Sequence, residues 1–183
     1  MSKVRPGKGD KGREQTDFYF WGFTFNPVKI AQSWQSFFSL WESAVPDAVR
    51  EKARLKMRAA TLNYANDVKT NGTKAQMDAA LEGLKAGADA LILQKGMPLY
   101  ARERLLWFET IGDGLFMLWD PRGVKVLRDM AKGLRGFEGG LKEEAAKLAD
   151  KFEENAKILE ESKSIPSIRD FEGVFKWAKF LQP

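Results

Sequence analysis

The sequence predicts an all-α fold: a helical bundle of about six or seven helices, led by an extended basic N-terminal arm. Three observations carry that prediction. Apolar side chains recur at three- and four-residue spacing through most of the chain. Helix-starting pairs and glycine breaks fall between those stretches. The opening seventeen residues have no apolar side chain worth burying but Val4, so they cannot build a core. At 183 residues and 44% hydrophobic, the remainder suits one domain. The expected organisation is an arm over residues 1–17 and a bundle domain over residues 18–183.

The elements follow in order. Phe18, Phe20, Phe23 and Phe25 nearly alternate around Gly22, which suits a short strand or an irregular clamp. Asn26-Pro27 reads as an N-cap and first helical residue, and the helix it opens reaches about Ser43. Ile30, Trp34, Phe37, Phe38 and Trp41 share one face of it. Pro46-Asp47 opens a second helix that ends near Asn71-Gly72. Thr73 to Gln76 has the capping-box pattern for a third. Met77, Leu81, Leu84, Ala88 and Leu91 form its seam, and Gly83 and Gly87 would admit a close neighbour.

Gly96-Met97-Pro98 breaks the chain before a fourth helix. This helix is apolar on nearly all sides from Leu105 to Ile111 and is therefore expected at the centre, kinked or ended by Gly112-Asp113-Gly114. Asp120-Pro121 starts a fifth helix running to about Arg135. A sixth spans about Leu141 to Ser162, with Leu141, Ala145, Leu148, Phe152 and Leu159 as its seam. A short last helix carries Ile168, Phe171, Val174, Phe175 and Ala178 on one side.

Composition narrows the chemistry. The chain has neither cysteine nor histidine. Disulfides, thiolate metal sites, His-based general bases and two-His metal motifs are all ruled out. Carboxylate or lysine chemistry remains open. The only pair resembling a catalytic or metal-binding constellation is Glu109 with Asp113, one turn apart, and Asp113 between glycines reads better as a turn cap. No cofactor, metal site or enzyme activity is expected. No signal-peptide pattern is visible, and the most apolar stretch, Leu105 to Trp119, is too short and too charged to cross a bilayer. An intracellular or virion location is the expectation.

Charge points to partners. The formal net charge of +5 is uneven, with +7 over residues 1–135 and −2 over residues 136–183. Three basic features emerge. The arm holds Lys3, Arg5, Lys8, Lys11 and Arg13 among glycines, as groove-tracking arms do. On the second helix Arg50, Arg54 and Arg58 form a row at i, i+4, i+8, with Lys52 and Lys56 roughly opposite. Of the two rows the arginines are the better phosphate fork and the favoured ligand-facing set. On the fifth helix Arg122, Lys125, Arg128, Lys132 and Arg135 fall within about 140° of one another at 100° per residue. They lie opposite Val124, Leu127, Met130, Ala131 and Leu134. Each feature has a competing reading: a solubilising tail for the arm, internal ion pairing for the row, and a solvated helix face for the stripe.

The aromatic N-terminal region supplies candidate subunit contacts: Phe18, Trp21, Phe23, Phe25, Trp34, Phe37, Phe38 and Trp41. Core filling and stacking on nucleic-acid bases compete with that role.

These features together predict a non-enzymatic structural protein. It would bind nucleic acid through phosphates, without sequence specificity, and assemble with other subunits as a homo- or hetero-oligomer into a larger nucleoprotein particle. The plan of basic arm, helical body and no His or Cys resembles the nucleocapsid proteins of archaeal filamentous viruses. That resemblance is architectural and rests on no specific motif. It implies a capsid-like role. Two alternatives stay open: a helical adaptor of a protein complex, and a peripheral coat on a lipid or polymer surface, with membrane contact the less favoured.

Overall fold

The computed structural model describes residues 18–20, 23–25, 41, 46–93 and 101–162. The two N-terminal segments are short strands, β1 (Phe18–Phe20) and β2 (Phe23–Phe25). They pair antiparallel with Phe18 opposite Phe25, Tyr19 opposite Thr24 and Phe20 opposite Phe23. The near-alternation of phenylalanines around Gly22 therefore does correspond to extended backbone.

Residues 46–93 and 101–162 are all-helical. Five α-helices are described there: α1 (Asp47–Asn71), α2 (Lys74–Leu93), α3 (Ala101–Leu118), α4 (Gly123–Arg135) and α5 (Lys142–Glu161). A single 3-10 turn, Gly139–Leu141, precedes α5. The arm of residues 1–17, most of the helix expected over residues 26–43 and the last helix expected near residues 168–178 lie outside the described residues.

The punctuation that the sequence advertised is visible as hydrogen bonds. Thr73 N–H donates to Gln76 Oε1 at 2.8 Å, and Gln76 N–H donates to Thr73 Oγ1 at 3.2 Å. That reciprocal pair is a capping box, and it satisfies two backbone donors at the start of α2. At the start of α4 the Asp120 carboxylate accepts from the Arg122 N–H at 2.9 Å, and the Asp120 carbonyl accepts from the Gly123 N–H at 2.9 Å. At the other end of α2, Arg104 acts as a cap from outside the helix. Its Nε and Nη2 both donate to the Leu91 carbonyl, at 3.1 and 3.0 Å. A cation there also complements the negative end of the helix dipole. The guanidinium lies 4.5 Å from the Phe137 ring centre and 5.2 Å from that of Phe108, and these two rings meet edge-on. Burial pulls the Arg104 pKa below its ordinary value.

Helix α3 is the axis of the bundle and packs against all four of the others. Leu105, Trp107, Phe108, Ile111, Leu115 and Leu118 are buried, and no residue from 103 to 118 is exposed, as the nearly all-round apolar pattern predicts for a central helix. The expected break at Gly112-Asp113-Gly114 does not occur. Helix α3 continues through it to Leu118. These glycines serve close packing instead of a turn. The Phe152 ring of α5 lies directly over Gly112, and Thr61 of α1 and Leu84 of α2 close over Gly114. Gly83 and Gly87 of α2 are buried, as their spacing suggested.

Trp41 is helical and fully buried, with its ring set edge-on to Trp107 at 5.8 Å. Its surface is therefore spent inside the chain, which corrects its assignment to a subunit contact. The side chains of Phe18, Phe23 and Phe25, and all of Trp21, Trp34, Phe37 and Phe38, lie outside the described residues.

Among the described residues two backbone positions are left-handed. Gly139, at φ +78°, turns the α4–α5 connection where a side chain would be strained. Trp119, at φ 54°, ends α3, and its N–H donates to the Phe116 carbonyl at 3.0 Å. A bulky residue seldom adopts that conformation. Here Phe116 packs edge-on to its ring at 5.5 Å and Lys69 Nζ sits 5.4 Å from the ring centre.

Candidate nucleic-acid interface

The apolar side of α4 is anchored as predicted. Val124, Leu127, Met130, Ala131 and Leu134 are all buried. The opposite side therefore faces solvent, and Arg122, Lys125, Arg128, Lys132 and Arg135 are all exposed along it. The periodicity correctly placed these five cations together.

It did not show what surrounds them. Arg122 Nη2 lies 2.7 Å from Asp78 of α2 and 2.8 Å from Asp120. Lys125 Nζ lies 2.6 Å from Asp129. Arg128 Nη2 meets Glu160 of α5 at 2.6 Å, with Glu153 at 4.0 Å from its Nε. Arg135 Nη2 meets Asp150 of α5 at 2.7 Å. Lys132 has no ion-pair partner among the described residues. Hydrogen bonds to these carboxylates raise the pKa values of Arg122, Lys125 and Arg128: Asp120 then Asp78 for the first, Asp129 for the second, Glu160 for the third. Six carboxylates thus lie against four of the five cations, so the stripe as a whole carries no positive excess.

The arginine row of α1 faces inward. The expectation that it meets a ligand is corrected, because it lies along α3, whose carboxylates match it. Arg54 donates to Glu103 at 3.2 Å, and both side chains are largely covered. Arg58 donates to Asp113 at 2.5 Å, with Glu109 at 4.0 Å. Arg50 pairs with Asp47 within α1. Lys52, on the opposite side, is exposed.

Asp113 is not a turn cap. One oxygen accepts from Arg58 of α1, and the other lies 2.9 Å from Lys151 of α5. With Glu109 nearby, this is a four-charge staple joining three helices. Both carboxylates of the one candidate catalytic pair are committed to it. Among the described residues no group of three or more acidic side chains converges to hold a metal ion. Nor is any described helix long and apolar enough to cross a membrane.

These local pairings add up to a global balance. Residues 46–93 and 101–162 carry 19 Lys+Arg and 19 Asp+Glu. The entire +5 of the chain resides in the remaining sequence: +2 in residues 1–45, +1 in residues 94–100 and +2 in residues 163–183. Sequence arithmetic alone could have found this, had the cut followed the helical body instead of falling after residue 135. Lys3, Arg5, Lys8, Lys11 and Arg13 lie outside the described residues.

No protein-family model, no curated protein and no solved structure matches this chain.

Proposed function

We propose that this chain is a non-enzymatic structural protein. Its electroneutral helical body packs with other subunits, and its basic flanking sequence, above all the arm, binds nucleic acid through phosphates. One observation carries this reading: 19 basic and 19 acidic residues balance over residues 46–93 and 101–162, while four of the five excess positive charges lie in the sequence flanking them. A polyanion is drawn by net local charge, and a face whose cations are matched by carboxylates offers none. The first thirteen residues hold five cations against one acid, Asp10. The capsid-like assembly implied by the resemblance to archaeal filamentous-virus nucleocapsid proteins belongs to this proposal.

The test is a salt titration of duplex DNA binding, with wild type compared to a full-length variant carrying glutamine at Lys3, Arg5, Lys8, Lys11 and Arg13. Each phosphate contact adds about 0.9 to the slope of log affinity against log salt. Losing five contacts should flatten the slope by up to about 4.5. A variant that binds as wild type does, with the same slope, would refute the arm's role.

The same neutrality favours a second reading, a helical adaptor whose body docks on other proteins and whose arm meets an acidic protein surface. Purified protein that carries no nucleic acid, judged by its 260 nm absorbance, and that binds no DNA at 50 mM salt would select this reading.

A further inference from the structure

Of the predicted binding features that the proposed function leaves unused, the α4 stripe is the exposed one, and its geometry is that of a covered site. Two of its arginines are held by α5. Arg128 approaches Glu160 as a fork, with Nη2 2.6 Å from Oε2 and Nη1 3.4 Å from Oε1. Arg135 Nη2 meets Asp150 Oδ1 at 2.7 Å. A guanidinium offers a phosphate the same two-pronged donor set that it offers a carboxylate. Glu160 and Asp150 therefore stand where phosphate oxygens would stand.

Three observations make this cover removable. The side chains of Asp150 and Glu160 are 71% and 47% exposed, so either can swing into water without uncovering a core. Exposed ion pairs are weak and exchange readily. The arginines themselves are displayed by a helix whose other side is locked in the core by Leu127, Met130 and Leu134, so the row survives loss of its partners. Lys132, between the two arginines in sequence, has no ion-pair partner among the described residues, so one cation of the row is open.

We infer that the α4 face is a latent second phosphate-backbone site, masked in the isolated chain by the carboxylates of α5. The inference rests on nucleic acid being the partner. It adds a regulated site to the proposed arm. A subunit contact or a modification that draws Glu153, Glu160 or Asp150 away would expose it.

The test uses the full chain with a random-sequence duplex and fluorescence anisotropy between 50 and 200 mM salt. The unmasked variant is Asp150→Asn, Glu153→Gln and Glu160→Gln. Its control, Glu51→Gln, Asp67→Asn and Glu138→Gln, changes net charge equally at exposed carboxylates that pair with none of the described cations. The unmasked variant should bind at least tenfold more tightly than the control at 100 mM salt, with a salt slope steeper by about two for Arg128 and Arg135. Adding Arg128→Glu to it should abolish the gain. Equal gains in both variants, no gain in either, or a gain that survives Arg128→Glu would overturn the masked site. The arm is judged separately. Wild type that binds no DNA while the unmasked variant does would reject the arm and keep this site, and arm-dependent binding with no gain on unmasking would do the reverse.

Discussion

Replacing Gly112 with alanine adds one methyl group at the most crowded point of the bundle. A Cβ at this position would collide with Cζ of Phe152 and lie 2.5 and 2.6 Å from its Cε1 and Cε2. Ordinary carbon contacts begin near 3.5 Å, so α3 and α5 must part by about 1 Å or the ring must move. Neither is easy, since Phe152 is fully buried. Overpacking of this kind costs about 1–3 kcal/mol, and expelling the ring approaches the 3–5 kcal/mol typical of Phe→Ala. Against this, alanine in mid-helix gains about 1 kcal/mol over glycine. A net loss of about 2 kcal/mol follows, or a melting temperature roughly 4–8 °C lower for a chain of this size. Thermal unfolding followed by circular dichroism measures it. Gly114→Ala is the internal comparison, because its new Cβ would meet Thr61 and Leu84 at 3.3 and 3.4 Å, a distance small shifts can absorb. That change should be near neutral. Phe152→Leu should recover part of the loss in the Gly112→Ala background. If Gly112→Ala melts at or above the wild-type temperature, the close α3–α5 crossing is wrong, and a break in α3 at Gly112 returns as the better description.

Other substitutions probe separate links. Asp113→Asn removes one charge from a staple with two cationic partners and should cost about 1–3 kcal/mol by urea unfolding, more than Glu109→Gln, which loses only a 4.0 Å contact. Arg104→Lys keeps the charge but loses the two-donor grip on Leu91 and the guanidinium's close contact with the Phe137 ring, so a loss of about 1–2 kcal/mol is expected. Thr73→Ala removes one half of the capping box and should cost about 1 kcal/mol, with faster amide exchange confined to the first turn of α2. Trp41→Ala should cost about 3–5 kcal/mol and alter the near-ultraviolet signal of its edge-on partner Trp107. A wild-type melt for that variant would place Trp41 outside the core after all.

The helical body was legible because its signals are local. The Thr73–Gln76 box, the start at Asp47 and the all-round apolar run of α3 each depend on residues within a few turns, and each appears where the sequence puts it. Gly112 and Gly114 were misread for the same reason. A glycine pair in a helical pattern signals a break locally, whereas its purpose here is set by Phe152, forty residues away in sequence, and by Thr61 on another helix. Trp41 shows a further limit. Periodicity establishes that a face is apolar, but whether that face meets another subunit or the chain's own Trp107 is a tertiary fact.

The basic features show how the same limit acts on charge. Helical spacing correctly grouped the cations of α4 on one side, and only the Lys125–Asp129 pair lies within that helix. The partners of Arg122, Arg128 and Arg135 come from α2, the turn before α4, and α5, and no single-helix projection contains them all. The arginine row of α1 is the stronger case. Long, always-charged side chains in a row suggest a display to a ligand, but arginine is also the cation best suited to a half-buried carboxylate. Arg54 and Arg58 answer Glu103 and Asp113 across the α1–α3 contact. A cationic row is an anion site only after the protein's own carboxylates have been counted. Counted over residues 46–93 and 101–162, they match the cations one for one. The positive excess in the flanking sequence is therefore what a polyanion would sense first, and the α4 face could join only once α5 releases it.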